Sequence, residues 1–450
     1  MNTRIIFKVL WLRRQLRRRD HWTRRQLEEH QAHALRLLRE HAYAYSPFYR
    51  RFHAGLTDRP LQDLPVLTKA QVMEHFDELV TDPSLGLADV EAHLAALRGN
   101  ERFRGRYWVA STSGSTGRRG LFLWNFAEWT TVLASYNRSF DWAGSRAGLT
   151  HRTKMAVVSS TTPWHQSARV GASVQSPWVP TLRLDSGHPL ENVVERLNSW
   201  QPEVLVAYAS MIRLLAEEQL AGRLHISPEF VFSASEVLTE RARRHAEAAW
   251  GKRPFDVYAA TESAGIASEC ELHRGMHLFE DLVITEVVDE DNRPVPPGVY
   301  GEKVLVTVLF SRTMPLIRYE MSDSVRLATS PYCPCGRPFT LIEGVQGRVE
   351  DVLRFPAASG EQQVTVQPAL FHRVMDTVPA GGWQVVQESE GLTVLLSGVQ
   401  KGYVDDALAE SLRRELAEQG AMVPSVKVRR VPAIPRTGAG KAPLIKANES

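Results

Sequence analysis

Cysteine is scarce here: Cys270, Cys333 and Cys335 are the three in a chain of 450 residues. So odd and sparse a count excludes a small module stapled by disulfides. Net charge is scarce as well. The 54 Lys and Arg stand against 51 Asp and Glu, leaving +3, and so even a balance gives no reason to expect nucleic acid as the main partner. No apolar run is long enough to span a bilayer, and there is no internal repeat or low-complexity tract. A hydrophobic content of 43% over this length suits two or three domains with substantial cores.

One local excess stands at the start. MNTRIIFKVLWLRRQLRRRD carries Arg4, Lys8, Arg13, Arg14, Arg17, Arg18 and Arg19 before its first acid. It reads as a basic amphipathic helix over residues 1–20, with Ile5, Ile6, Leu10 and Trp11 as apolar anchors. Lys8 interrupts the apolar run and no small-residue cleavage site follows, so the expected location is the cytoplasm. Such a segment either packs on its own domain or makes peripheral membrane contact.

From His21 to about Phe76 apolar residues recur at helical spacing, with a break at Ser46-Pro47. Short apolar runs then alternate with amphipathic stretches: MAVVSS, VLVAYA, FVFSASE, the helical ERARRHAEAAW and FDVYAATE. This alternation predicts a layered α/β core with parallel strands. From His277 to Leu309 two β-rich runs flank a Pro/Gly/Asn turn, which predicts an antiparallel hairpin or small barrel. A further shift after Gly347 leads to a compact β/α pattern with a helix at VDDALAESLRRELAEQG. The predicted domains are 1–346 and 347–450.

The stretch STSGSTGRRG (Ser111–Gly120) combines backbone freedom with hydroxyl donors, the components of a phosphate-binding loop. It has no Gly-x-x-x-x-Gly-Lys-Ser/Thr arrangement, and taken alone it also fits an ordinary surface turn. Five more motifs follow it in order: Ser235-Glu236 in FSASEVL, Tyr258 to Glu262 in VYAATES, Asp323 in PLIRYEMSD, Gly347-Arg348 in GRVEDVL, and Lys441 in PRTGAGKAP. Together they resemble the adenylate-forming superfamily, and within it the phenylacetate-CoA ligase-like branch, from about Leu27 to Lys441.

The resemblance implies a large N-terminal layered α/β domain with a β-rich subdomain, and a small mobile C-terminal α+β domain. It implies ATP-dependent activation of an organic carboxylic acid, an aryl one by preference, through an acyl-adenylate, followed by transfer to CoA. Thr112, Ser113, Gly114, Ser115, Thr116 and Gly117 would close over the β- and γ-phosphates. Glu262 would hold Mg²⁺, a hard cation suited to carboxylate oxygen. Thr261 would bond the α-phosphate, Tyr258 would lie against adenine, and Asp323 would accept from the ribose hydroxyls. Ser235 and Glu236 belong to the nucleotide-binding set, and Arg348 would contact the nucleotide near the hinge. Lys441 would bridge the substrate carboxylate and the α-phosphate as a point charge on a flexible stem.

The cysteines point elsewhere. Cys270 with His273 or His277, together with Cys333-x-Cys335, supplies thiolates and imidazole suited to a structural tetrahedral Zn²⁺. A similar pattern in phenylacetate-CoA ligase-like sequences favours the set Cys270, His277, Cys333 and Cys335, with His273 as the alternative.

Two departures from the family pattern matter. Ser322 precedes Asp323 where glycine is common. The stretch Leu353-Arg-Phe-Pro replaces a glycine-containing loop seen in relatives that make CoA thioesters. An amine or a carrier-protein thiol is therefore the alternative acceptor, and a degenerate nucleotide-binding protein is the non-enzymatic alternative. Trp124, Trp129, Trp164 and His165 are the aromatic candidates for lining the acid pocket.

Overall fold

The computed structural model describes residues 3–112, 119–145, 151–173, 176–330, 332–348, 353–357, 363–366, 368–375, 377–389, 391–423, 425–436 and 442–447. Among them the chain opens with helices α1 (Thr3–Arg19), α2 (Arg24–Tyr45), α3 (Pro47–Phe52), α4 (Lys69–Glu74), α5 (Phe76–Leu79) and α6 (Leu87–Ala96). The break predicted at Ser46-Pro47 is a cap. The Ser46 hydroxyl accepts from the Tyr49 amide, and Pro47 fills the first position of α3. A hairpin of β1 (Trp108–Ser111) and β2 (Leu121–Trp124) follows, then the long helix α7 (Phe126–Trp142).

Strands and helices then alternate: β3 (Met155–Ser159), α8 (Gln166–Ser173), β4 (Thr181–Asp185), α9 (Leu190–Trp200), β5 (Val204–Ala207), α10 (Ala209–Leu220), β6 (Phe230–Ala234), α11 (Glu240–Trp250) and β7 (Phe255–Ala260). The helices are crossovers, so β4, β3, β5, β6 and β7 pair in parallel.

After β7 the pattern changes. Only Thr261, Glu262 and Ser263 separate it from β8 (Ala264–Glu269), too few for a crossover, so β8 pairs antiparallel with β7. The sheet continues through β9 (Met276–Leu278). Then β10 (Val283–Val288), β11 (Lys303–Val308) and β12 (Tyr319–Met321) form the predicted antiparallel hairpin with one added strand. The next strands, β13 (Asp323–Leu327) and β14 (Leu341–Arg348), return to the main sheet. Among the described residues that sheet has nine strands in the order β13-β14-β9-β8-β7-β6-β5-β3-β4. The expected parallel core is thus one half of a mixed sheet.

Residues beyond β14 form β15 (Leu353–Pro356), β16 (Gln363–Val366), α12 (Pro368–Met375), β17 (Gly382–Glu388), β18 (Gly391–Ser397), α13 (Asp405–Glu418), β19 (Val426–Arg430) and β20 (Ile445–Lys446). They bury their own core, including Phe371, Trp383, Val394 and Leu412, apart from the core beneath the main sheet.

Candidate active-site cleft and metal centre

Ligands of open α/β sheets gather beyond the carboxyl ends of the parallel strands. Here a cleft of about 2450 Å³ opens at that edge. Ser235 and Glu236 follow β6, Thr261 and Glu262 form the turn after β7, and Asp323 begins β13; all line the cleft with Thr112 and Tyr258. Motifs that lie far apart in the sequence therefore meet in one space. Ser235 adopts φ 69°, a left-handed conformation that non-glycine residues rarely take and that marks a constrained bend. The VYAATES motif is a hairpin turn, and no helix follows it.

The hydroxyl of Tyr258 donates to Asp323 Oδ2 at 2.7 Å, joining the adenine and ribose candidates into one unit. The Tyr319 hydroxyl donates to Glu262 Oε1 at 3.4 Å, so Glu262 is oriented from β12. Behind the turn, the side-chain amide of Gln166 donates to the Thr261 carbonyl at 3.1 Å, and Gln166 in turn accepts from the Tyr136 hydroxyl at 2.8 Å. Burial raises the Tyr136 phenol well above its ordinary range, which keeps it a neutral donor.

The stem of the glycine-rich loop is pinned on both sides. The Thr112 amide donates to the Gly120 carbonyl at 3.0 Å, and the Gly120 amide donates to Thr112 Oγ1 at 2.9 Å. Arg119 lies over the Trp164 ring, 5.7 Å from its centroid. Ser113, Gly114, Ser115, Thr116 and Gly117 lie outside the described residues, as do Lys441 and the side chain of Arg348. Two neighbouring backbone positions are informative. Arg348 is the register partner of Asp323, and the Ala442 amide donates to Glu236 Oε1 at 2.9 Å. The other oxygen of Glu236 accepts from the Ser210 amide at 2.8 Å. Glu236 therefore ties the chain beside Lys441 to the sheet edge.

The aromatic candidates divide. Trp124 and Trp129 are buried in the core against each other, with ring centroids 5.6 Å apart, and do not line the cleft. Trp164 backs the loop stem, and His165 does line the cleft, with its Nδ1 2.8 Å from Ser160 Oγ. The apolar wall comes instead from α7, including Leu133, Tyr136 and Phe140.

No protein-family model matches the chain. It is 28% identical over 372 residues to the phenylacetate-coenzyme A ligase of Thermus thermophilus, spanning 78% of this chain and 76% of that one. It is likewise 28% identical over 330 residues to the phenylacetate-coenzyme A ligase of Pseudomonas putida, covering 70% and 68%. The fold matches 2-hydroxyisobutyryl-CoA ligase in the postadenylation state in complex with 2-HIB-AMP, with a TM-score of 0.75, 19% identity and coverage of 96% and 92%. Over most of its length the chain is thus similar to phenylacetate-coenzyme A ligases, and it shares the fold of 2-hydroxyisobutyryl-CoA ligase.

The chain also gathers the predicted zinc ligands. The donor atoms of Cys270, His277, Cys333 and Cys335 all lie within 4.8 Å of one another. Zinc–sulfur bonds of about 2.3 Å at tetrahedral angles place two sulfurs about 3.8 Å apart. The Cys270 and Cys333 sulfurs stand 3.8 Å apart, and Cys335 Sγ is 3.3 Å from His277 Nε2. The other imidazole nitrogen, Nδ1, is 3.4 Å from the Phe339 carbonyl, the partner that leaves Nε2 free to ligate. His273 is occupied elsewhere, with Nδ1 3.0 Å from Glu269 Oε2.

The backbone explains the meeting. Gly275, between Cys270 and His277, has φ +115°, and a Cβ there would stand 2.7 Å from the Ile342 carbonyl oxygen. Only glycine allows β9 and β14 to approach so closely, and their pairing brings the Cys333-x-Cys335 loop onto His277.

Proposed function

We propose that this chain is an AMP-forming carboxylate–CoA ligase acting on an aryl or related apolar acid. In the first step a carboxylate oxygen attacks the α-phosphorus of ATP, and the bond to the bridging oxygen breaks to release pyrophosphate. In the second the CoA thiol, having lost its proton, attacks the acyl carbon of the adenylate and AMP leaves. Both partners of the first step are anions, so pre-organised donors and cations carry much of the catalysis.

The observation that carries this reading is the convergence of Glu236, Tyr258, Thr261, Glu262 and Asp323 on one cleft. In it Tyr258 and Asp323 take the adenosine, Thr261 the α-phosphate, and the loop Thr112 to Gly117 the leaving phosphates. Lys441 is delivered beside Glu236 through Ala442. Glu262, an oxygen donor at the cleft wall, suits Mg²⁺, which when bound neutralises charge on the phosphates. The apolar wall from α7 supports an aryl acid, and CoA as acceptor follows from the names of the relatives.

Residues 347–450 act as the mobile C-terminal unit; the separate core from Leu353 onward supports this, with Gly347 and Arg348 still paired to β13 in the main sheet. The Cys270, His277, Cys333 and Cys335 cluster holds a closed, structural Zn²⁺; free thiols of this kind suit a reducing cytoplasm.

Pyrophosphate release from Mg-ATP across a panel of aromatic and aliphatic acids, with and without CoA, tests the proposal. Acid-dependent release with thioester formed supports it. Release without thioester moves the acceptor to an amine or a carrier thiol, as the altered Leu353–Pro356 stretch would allow. ATP binding with no acid-dependent turnover would leave a nucleotide-binding protein only.

A further inference from the structure

The ligase reading leaves the outer face of α1 unexplained. The helix buries Ile5, Val9, Arg13 and Leu16, one side of its wheel, and packs that side on α7. A helix so packed normally turns polar residues to solvent. Here the opposite side, following the 100° step, carries Arg14, Phe7, Arg18, Trp11, Arg4, Gln15 and Lys8, with the Arg4 guanidinium at its edge 4.6 Å from the Phe126 ring centroid. Phe7 is 70% exposed and Trp11 51% exposed, one turn apart at the centre of that side. Lys8 Nζ sits 3.9 Å from the Trp11 ring centroid.

The cations on this side are not cancelled. The helix has no acid of its own. Asp141 is taken by Arg13 and Arg17, and Asp20 is buried 3.5 Å from Arg138. Arg14 and Arg18 have no acidic partner among the described residues.

We infer that this face of α1 docks on the surface of an anionic phospholipid bilayer. About 25 Å of straight helix can lie flat in the headgroup layer, with Phe7 and Trp11 at the depth that aromatic side chains favour and the cations among the phosphates. A second copy fits less well, because a two-fold axis along α1 would set Arg14 and Arg18 against like charge. Among the described residues no helix is long and apolar enough to cross a membrane, so the contact is peripheral. Ile5, Ile6, Val9 and Leu10 also border the cleft, from the inner side of the helix. Docking the outer side leaves that lining in place.

Co-sedimentation of the full chain with phosphatidylcholine vesicles, with and without phosphatidylglycerol, reads this directly. Binding should require phosphatidylglycerol and fall as salt rises. R14E/R18E and F7S/W11S should each reduce the bound fraction roughly tenfold or more. All four positions are solvent-facing, so circular dichroism and melting temperature should match the parent chain. Binding that ignores phosphatidylglycerol, or that both variants retain, overturns the inference. A dimer in sedimentation velocity that F7S/W11S dissolves would assign the face to a second copy and overturn it equally.

Discussion

The Ala442 amide donates to the Glu236 carboxylate at 2.9 Å, across 206 positions of sequence. The contact fixes the residue next to Lys441 against the carboxyl edge of the sheet. The Ser210 amide holds the other oxygen, so Glu236 serves both sides at once.

Glu236→Gln removes the charge and replaces one acceptor with an amide that cannot accept. A charge-assisted hydrogen bond is worth about 1.5–3 kcal/mol, so acid-dependent pyrophosphate release should fall roughly ten- to a hundredfold. Thioester formation from a supplied acyl-adenylate should fall much less. Equal loss in both half-reactions would mean that Glu236 does not act through the Ala442 segment.

Lys441→Ala should lower pyrophosphate release by about a hundredfold or more, because a charge aimed at the transition state is lost. Nucleotide binding, followed by calorimetry, should be retained. Undiminished turnover would remove Lys441 from the mechanism.

Tyr258→Phe deletes the donor to Asp323 while keeping the ring. One neutral-to-charged hydrogen bond is lost, so KM for ATP should rise about fivefold or more with kcat little changed. An unchanged KM for ATP would show that Asp323 needs no help from Tyr258.

If the proposed zinc centre forms, purified protein should carry about one zinc per chain by elemental analysis. Cys333→Ser should lose most of it and melt several degrees lower. Intact melting behaviour after zinc removal would reduce the cluster to buried thiols.

Arg138 donates to both oxygens of Asp281, at 2.6 and 3.0 Å, in a fully buried pair that Arg19 also reaches. Burial alone would raise the Asp281 carboxyl, but the charges and hydrogen bonds of Arg138 and Arg19 outweigh it and hold the group down to about 2. The stabilisation is fully present above the unfolded carboxyl range near 3.9 and is lost as pH falls toward 2. Asp281→Asn should be destabilised by about 3–5 kcal/mol near neutrality, since it strands Arg138. The gap from the parent chain should shrink by about 1 kcal/mol between pH 6 and pH 3, measured by urea titration. A constant gap would assign the cost to packing.

Patterns confined to short windows were legible before any coordinates. The α11 helix, the β10–β11 hairpin and the grouping of the three cysteines with a histidine followed from spacing and residue type, while the choice of His277 over His273 rested on the family resemblance. The antiparallel half of the main sheet was not, because apolar strands look alike whichever way they pair; the short Thr261–Ser263 connection was the available clue. Contacts between distant positions were also silent. Nothing near Gln166 announces Thr261, nothing near Arg138 announces Asp281, and Glu236 reads as one more nucleotide-site residue until Ala442 lies against it. Trp124 and Trp129 misled for a related reason: large aromatics serve cores as readily as pockets.

Among the described residues, β13 joins the nine-stranded sheet through β14, and its other edge bridges Tyr300 at Arg326. The Tyr258 hydroxyl reaches Asp323 from β7, but the ladder partner of Asp323 comes from β14. That partner strand is finished only at Arg348. The register that sets Asp323 in the main sheet thus depends on residues as late as Arg348, whereas that of Tyr258 is set by β6 and β8, the later of which ends at Glu269.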